Sequence, residues 1–110
     1  MARYLFTRKA VEDLTGIYEY TLEFWSESQA DKYYNELISF CQMLAESPRI
    51  GKHYVEIGSD IFGLLFNKHL IFYRMLNEEE IEIIRILGAD MDLKNRIKEL
   101  ELPSEGSTKE

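Results

Sequence analysis

The stretch from Ile61 to Leu87 limits the folds open to this chain more than any other. It holds three runs, Ile61–Phe66, His69–Leu76 and Glu80–Leu87, rich in β-branched and aromatic residues and separated by the breaks Asn67-Lys68 and Asn77-Glu78-Glu79. Such runs read as three antiparallel strands joined by tight turns. A sheet with one wet face alternates apolar and polar residues. Here both alternating sets are mostly apolar, Ile71, Tyr73 and Met75 on one side and Leu70, Phe72 and Leu76 on the other. Both faces therefore need cover. Two arginines interrupt the pattern: by strict alternation Arg74 shares a face with Leu70, Phe72 and Leu76, and Arg85 one with Ile81, Ile83 and Leu87. Register decides which strand face meets which, so the two arginines are not placed as neighbours.

The chain before this stretch supplies one cover. Arg3 to Phe6 is a short β-prone run suited to an edge strand. From Thr7, an N-cap residue, the stripe Ala10, Leu14, Ile17, Tyr18, Thr21, Leu22 and Trp25 predicts a helix, with Glu12, Asp13, Glu19 and Glu23 facing out. Gly16 inside it costs about 1 kcal/mol relative to alanine, which points to a close neighbouring backbone. Ser26 with Gln29 forms a capping-box pattern and opens a second helix with the stripe Ala30, Tyr33, Tyr34, Leu37, Ile38, Cys41, Leu44 and Ala45, ended by Pro48. So short a link folds the pair into an antiparallel hairpin, which needs a sheet to lie on. A turn at Pro48–Gly51, a strand near His53–Ile57 and a turn at Gly58–Asp60 complete the middle. Met91 to Leu100, carrying Lys94, Arg96 and Lys98, predicts a short amphipathic helix, and residues 101–110 a flexible tail. The expected architecture is α+β: one domain over residues 1–100, with an N-terminal helical hairpin on a curved, mainly antiparallel sheet of four or five strands and a short C-terminal helix. The second sheet face has only Met91–Leu100 to cover it, so part of it is expected to be a docking surface for another protein.

Charge narrows the function classes. Thirteen basic residues against 20 acidic ones give a net charge of -7, which speaks against a broad phosphate-gripping surface and against sequence-specific nucleic-acid binding. The single cysteine, Cys41, excludes an internal disulfide and, with no signal-peptide pattern at the start, points to the cytoplasm. No apolar run approaches the roughly 18 residues of a membrane span. Cys41, His53 and His69 lack metal-ligand spacing, and no glycine-rich phosphate loop is present, so neither metal nor cofactor is expected. Glu78, Glu79, Glu80 and Glu82 read as a solvated run at a turn. Tyr20, Phe24 and Phe40 fall off the core stripes and suggest a partner surface on the hairpin. Arg74 and Arg85 are open to two readings: paired with an acidic residue such as Asp92, or binding a partner.

These residues together resemble the ParE branch of the RelE/ParE superfamily, the toxin half of bacterial toxin–antitoxin modules. The resemblance spans roughly residues 4–97. It is carried by A-V-E-D-L-T-G-I-Y-E-Y-T-L-E-F-W, S-Q-A-D-K-Y-Y-N-E-L, L-A-E-S-P-R-I-G-K, H-L-I-F-Y-R at His69–Arg74, I-I-R-I-L and Met91-Asp92. It implies a short strand, a helical hairpin and a curved sheet, and a cytoplasmic toxin neutralised by a ParD-like antitoxin through which it oligomerises. It also implies DNA gyrase as the target and action by binding. The residues expected to bind a partner are Arg74, Arg85, His69, Tyr73, Tyr20 and Phe24. The related RelE branch cleaves mRNA on the ribosome with basic and acid–base side chains near the end of the last strand. Here the family pattern R-I-L-H-x-R-M-D reads R-I-L-G-A-D-M-D, with Gly88 for the usual His and Asp90 for the usual Arg. A further arginine of the family, in the strand before H-L-I-F-Y-R, has no counterpart in Ile61–Phe66. Losing an imidazole and cations argues against ribonuclease chemistry and equally leaves room for a member that binds its antitoxin without toxicity.

Overall fold

The computed structural model of the chain describes residues 2–88. Strand β1 (Arg3–Phe6) leads into α1 (Arg8–Phe24) and α2 (Glu27–Glu46), followed by a 3-10 turn at Pro48–Ile50, β2 (Lys52–His53), β3 (Phe62–Phe66), β4 (His69–Asn77) and β5 (Glu80–Gly88). The expected helix over Met91–Leu100, the tail and the acidic positions Asp90 and Asp92 lie outside the described residues.

Local chemistry sets the boundaries. Thr7 Oγ1 accepts from Ala10 N at 3.0 Å and Ser26 Oγ from Gln29 N at 3.0 Å, so each helix begins on the side-chain cap read from the sequence. Asn67 takes the left-handed conformation, φ 53°, in the two-residue β3–β4 turn, a conformation asparagine tolerates better than most residues. In the β4–β5 turn the Asn77 Oδ1 accepts from Glu79 N at 2.8 Å, an Asx turn.

The sheet order is β1-β5-β4-β3-β2. The pairing is antiparallel except that β1 runs parallel to β5, Arg3 opposite Glu80 and Phe6 opposite Ile83, which makes the sheet mixed and unclosed. The connection between those two parallel strands runs through the hairpin and then β2, β3 and β4, and the hairpin lies on one face of the sheet. Ala10, Leu14, Leu37, Cys41, Leu44 and Ala45 meet Ile71, Tyr73, Ile81, Ile83 and Ile86 there, the main core.

The other face carries a second cluster: Ile61, Leu70, Phe72, Ile84 and Leu87, with Tyr54 and Ile57 packed on it. The strand expected near His53–Ile57 is only Lys52–His53; from Tyr54 the backbone turns, with Ile57 N and Gly58 N both donating to Tyr54 O, and its side chains roof this face. Gly63 opposite Phe72 makes the room, because a Cβ there would stand 2.9 Å from the Tyr54 ring. On this face Leu70, Phe72, Ile84 and Leu87 are buried beneath that roof, whereas Leu65 is exposed.

Two further expectations change. No atom comes within 4 Å of a Cβ built on Gly16, which is exposed, so no backbone approaches it. Leu22 and Trp25, assigned to the core stripe of α1, are exposed. The cause is length. Seventeen residues give α1 about 26 Å, while Tyr33 of α2 already sits against His69, the partner of Gly88 at the last described rung of the sheet. The tip of the hairpin runs past that rung with no strand beneath it among the described residues.

Candidate partner-binding site

A bulge fixes where the arginines go. Phe72 pairs with Arg85 but Tyr73 with Ile83, so Ile84 is an extra residue in β5. Beyond it the side-chain phase is reversed: Ile81 and Ile83 join the hairpin core, whereas Leu87 shares the opposite face with Phe72 and Leu70, and Arg85, paired with Phe72, reaches the edge of β5 where α1 meets it. The alternation expected along β5, with Arg85 beside Ile81 and Ile83, fails at this residue.

The bulge sits where β1 stops. Its freed backbone groups are met from α1 and its cap: Thr7 Oγ1 donates to Ile84 O at 2.8 Å, and Asp13 Oδ2 accepts from Ile86 N at 3.0 Å. The same carboxylate takes Arg85 side-on, Nε to Oδ2 at 2.7 Å and Nη2 to Oδ1 at 3.0 Å. Asp13, expected to face out, thus ties helix, edge strand and arginine together, with both side chains about 15 % exposed. Its signal in the sequence is phase: three residues after Ala10 and four before Ile17, it lies on the core side of α1.

Arg74 is held on the face away from the hairpin. Its Nε donates to Glu82 Oε1 at 2.9 Å and its Nη1 stands 3.7 Å from Asp60 Oδ2. Glu82 is its directly opposed residue in β5. Both arginines are therefore engaged by carboxylates of this chain, Asp13, Glu82 and Asp60.

The remaining predicted residues scatter. Tyr73 is fully buried on the hairpin face; its hydroxyl donates to Pro48 O at 2.6 Å and accepts from Gly51 N at 3.1 Å, and burial pushes its pKa up. It offers a partner no surface in this state. His69 Nδ1 and the Tyr33 hydroxyl share a hydrogen bond of 2.7 Å, and burial raises the Tyr33 pKa. Register places this imidazole opposite Gly88, at the strand end where the family pattern has its own His. Tyr20 and Phe24 pair their rings at 4.7 Å on the hairpin tip. Phe40 is not an outer aromatic: it is half-buried against Phe66, centroids 4.7 Å apart. Reasoning on sequence missed Leu22 and Trp25 as tip residues, because a helix stripe alone does not reveal where the sheet beneath it stops.

The candidate metal ligands stay apart in function. Cys41 is buried in the hairpin core with its pKa pushed up to about 12, and His53 stacks on Phe62 at 4.7 Å while its Nε2 lies 2.6 Å from Ser59 O. A hollow of about 520 Å³ bounded by Ser47–Ile50, Met75, Asn77 and Glu78 opens at the far end of β4 and β5 from Gly88.

Comparison with known proteins gives a consistent result. Residues 4–93 match the family described as ParE toxin of type II toxin-antitoxin system, parDE. Toxin ParE1 of Mycobacterium tuberculosis (strain H37Rv) is 32% identical over 96 residues, covering 87% of this chain and 98% of that protein. Toxin ParE1 of Caulobacter vibrioides (strain CB 15) is 31% identical over 94 residues, covering 86% and 96%. A chain of the chromosomal ParDE TA system from P. aeruginosa superimposes with a TM-score of 0.69 at 22% identity, over 82% of this chain and 98% of that one, which establishes the likeness of fold. No helix among the described residues is long and apolar enough to cross a membrane.

Proposed function

Since the chain belongs to the ParE family of type II toxin–antitoxin toxins, we propose that it is neutralised in the cytoplasm by a ParD-like antitoxin and that it acts by binding a protein target, DNA gyrase, rather than by cutting RNA. The observation that carries the second half is the engagement of both strand arginines. A ribonuclease must neutralise a phosphate and move a proton. Here Arg85 is gripped by Asp13 and Arg74 by Glu82, while position 88 at the end of β5 is a glycine with no side chain to give. A surface of net charge -7 points the same way.

The test has three arms. The chain is induced with and without the product of the adjacent reading frame, and the purified protein is added to a gyrase supercoiling assay and to a ribosome-dependent mRNA cleavage assay. The proposal expects growth arrest relieved by the neighbour, inhibited supercoiling and intact mRNA. Cleavage that vanished in Arg85→Ala or Arg74→Ala would establish the ribonuclease reading instead. Normal growth without the antitoxin would mark a member that keeps its partner and has lost its poison together with the His and Arg that Gly88 and Asp90 replace.

A further inference from the structure

The hairpin tip is the least explained surface of the molecule. Tyr20 and Phe24 are each 61% exposed, Trp25 72% and Leu22 43%, at a place where α1 has outrun the sheet. Tyr20 and Phe24 extend the side of α1 that holds Asp13 and Ile17, whereas Leu22 and Trp25 extend the side of Tyr18, so the last turns are apolar on two sides. Contiguous exposed aromatics of this kind are typical anchors of protein interfaces.

The tip is also preformed. The Tyr18 hydroxyl donates to Asp31 Oδ1 at 2.7 Å and the Tyr18 ring meets Tyr34 edge-on at 6.2 Å, tying α1 to α2 just behind the aromatics. Trp25 N closes the helix on Thr21 O at 2.9 Å. A surface already ordered loses little entropy on binding.

Charge selects the occupant. From Ala10 to Asp31 the chain has no lysine or arginine, but it has Glu12, Asp13, Glu19, Glu23, Glu27 and Asp31. Asp13 is spent on Arg85 and Asp31 accepts from Tyr18, whereas Glu19, Glu23 and Glu27 are exposed around the aromatics. A second copy of this tip would set these acids against their own kind, and an anionic surface would be repelled. A segment bearing lysines or arginines beside apolar anchors satisfies both features.

We propose that the tip formed by Tyr20, Leu22, Phe24 and Trp25, with its rim of Glu19, Glu23 and Glu27, seats a cationic segment of the antitoxin that carries its own apolar anchors. The proposal rests on the ParDE reading above and adds the place and chemistry of the contact. On this surface the toxin supplies the negative charge.

The experiment titrates the full-length chain with the product of the adjacent reading frame by calorimetry, using wild type, Phe24→Ser, Trp25→Ser and the double reversal Glu23→Lys with Glu27→Lys. All four positions are exposed, and circular dichroism checks that the fold survives. Each aromatic change is expected to weaken binding at least about tenfold. The reversal should weaken it comparably at low salt and flatten the salt dependence of the affinity. If wild type binds and every variant binds within about twofold with the same salt dependence, the tip is not the seat and the ParDE reading stands. Absence of binding by wild type would remove that reading and this proposal together. A wild-type dimer that Trp25→Ser dissociates would assign the tip to a second copy. Lost thermal stability with unchanged affinity would assign it to the chain's own Lys94–Lys98 region. Either result overturns the proposal.

Discussion

Asp13 of α1 holds Arg85 of β5 in a two-point grip, 2.7 and 3.0 Å, while its Oδ2 also accepts from Ile86 N at 3.0 Å. One carboxylate thus closes the open edge of β5 where β1 has ended. Asp13→Ala removes the two-point grip on a largely buried guanidinium and the acceptor of Ile86 N, and is expected to cost about 2–3 kcal/mol, read as a lowered urea midpoint with unchanged slope. Asp13→Asn, which can still accept from Ile86 N, should lose about half as much. A loss below about 0.5 kcal/mol in Asp13→Ala would mean that the grip is not structural.

Gly16 gives a prediction of opposite sign. It lies inside α1, exposed, with nothing within 4 Å of an added Cβ. Gly16→Ala should therefore stabilise the chain by about 0.5–1 kcal/mol, through a stiffer unfolded chain and better helix propensity. Differential scanning calorimetry should show a melting temperature several degrees higher; a lower one would mean that a contact outside the described residues needs the glycine.

The Tyr73 hydroxyl bridges Pro48 O and Gly51 N, tying the loop after α2 to the centre of β4. Tyr73→Phe keeps the buried ring and removes both hydrogen bonds. The expected cost is about 1–2 kcal/mol, with hydrogen exchange of the Gly51 amide accelerated far more than that of the core strands. Equal acceleration everywhere would show that the bridge has no local role.

Cys41 makes the fold sensitive to alkali. Burial pushes its thiol from 9.0 to about 12, so the unfolded chain releases a proton that the folded chain still holds. This contribution is intact below pH 9 and is lost as the pH rises to about 12, at up to about 1.4 kcal/mol per pH unit. Tyr4, Tyr33 and Tyr73, raised mainly by burial, act in the same sense. Denaturation midpoints should hold from pH 8 to about 9 and fall from there to pH 10.5, less steeply in Cys41→Ala, and the native thiol should resist alkylation at pH 8. An equal slope in the variant would exclude the thiol as the source.

Much of this molecule is legible in the sequence, and the reason is local. The Thr7 and Ser26 caps, the breaks at Asn67 and Asn77 and the apolar runs between them each act over a few residues, and the structure places the helices and long strands where they point. What local patterns do not encode is offset. A single inserted residue, Ile84, reverses the facing of Arg85, and nothing in the run I-E-I-I-R-I-L marks it. The parallel pairing of β1 is equally silent in Y-L-F, since its partner β5 lies two helices and three strands further along the chain. The aromatics at the tip are visible as residues, yet their exposure follows from the difference in length between α1 and the sheet. Arg74, His69 and Tyr73 lie within six residues of one strand, yet Tyr73 is buried against the hairpin, His69 meets Tyr33 of α2 and Arg74 pairs with Glu82 on the other face.

The parallel pairing of β1 with β5 bears on when this protein can exist at all. Arg3 is paired with Glu80, so the first strand made waits for the last described one, and the hairpin between them has no complete sheet to rest on until β5 has emerged. Contacts this distant in sequence form late and close slowly. A chain interrupted anywhere before residue 80 lacks the strand that β1 and α1 grip. Synthesis is thus all-or-none for the fold: a chain that stops before β5 cannot close the sheet on which the hairpin rests.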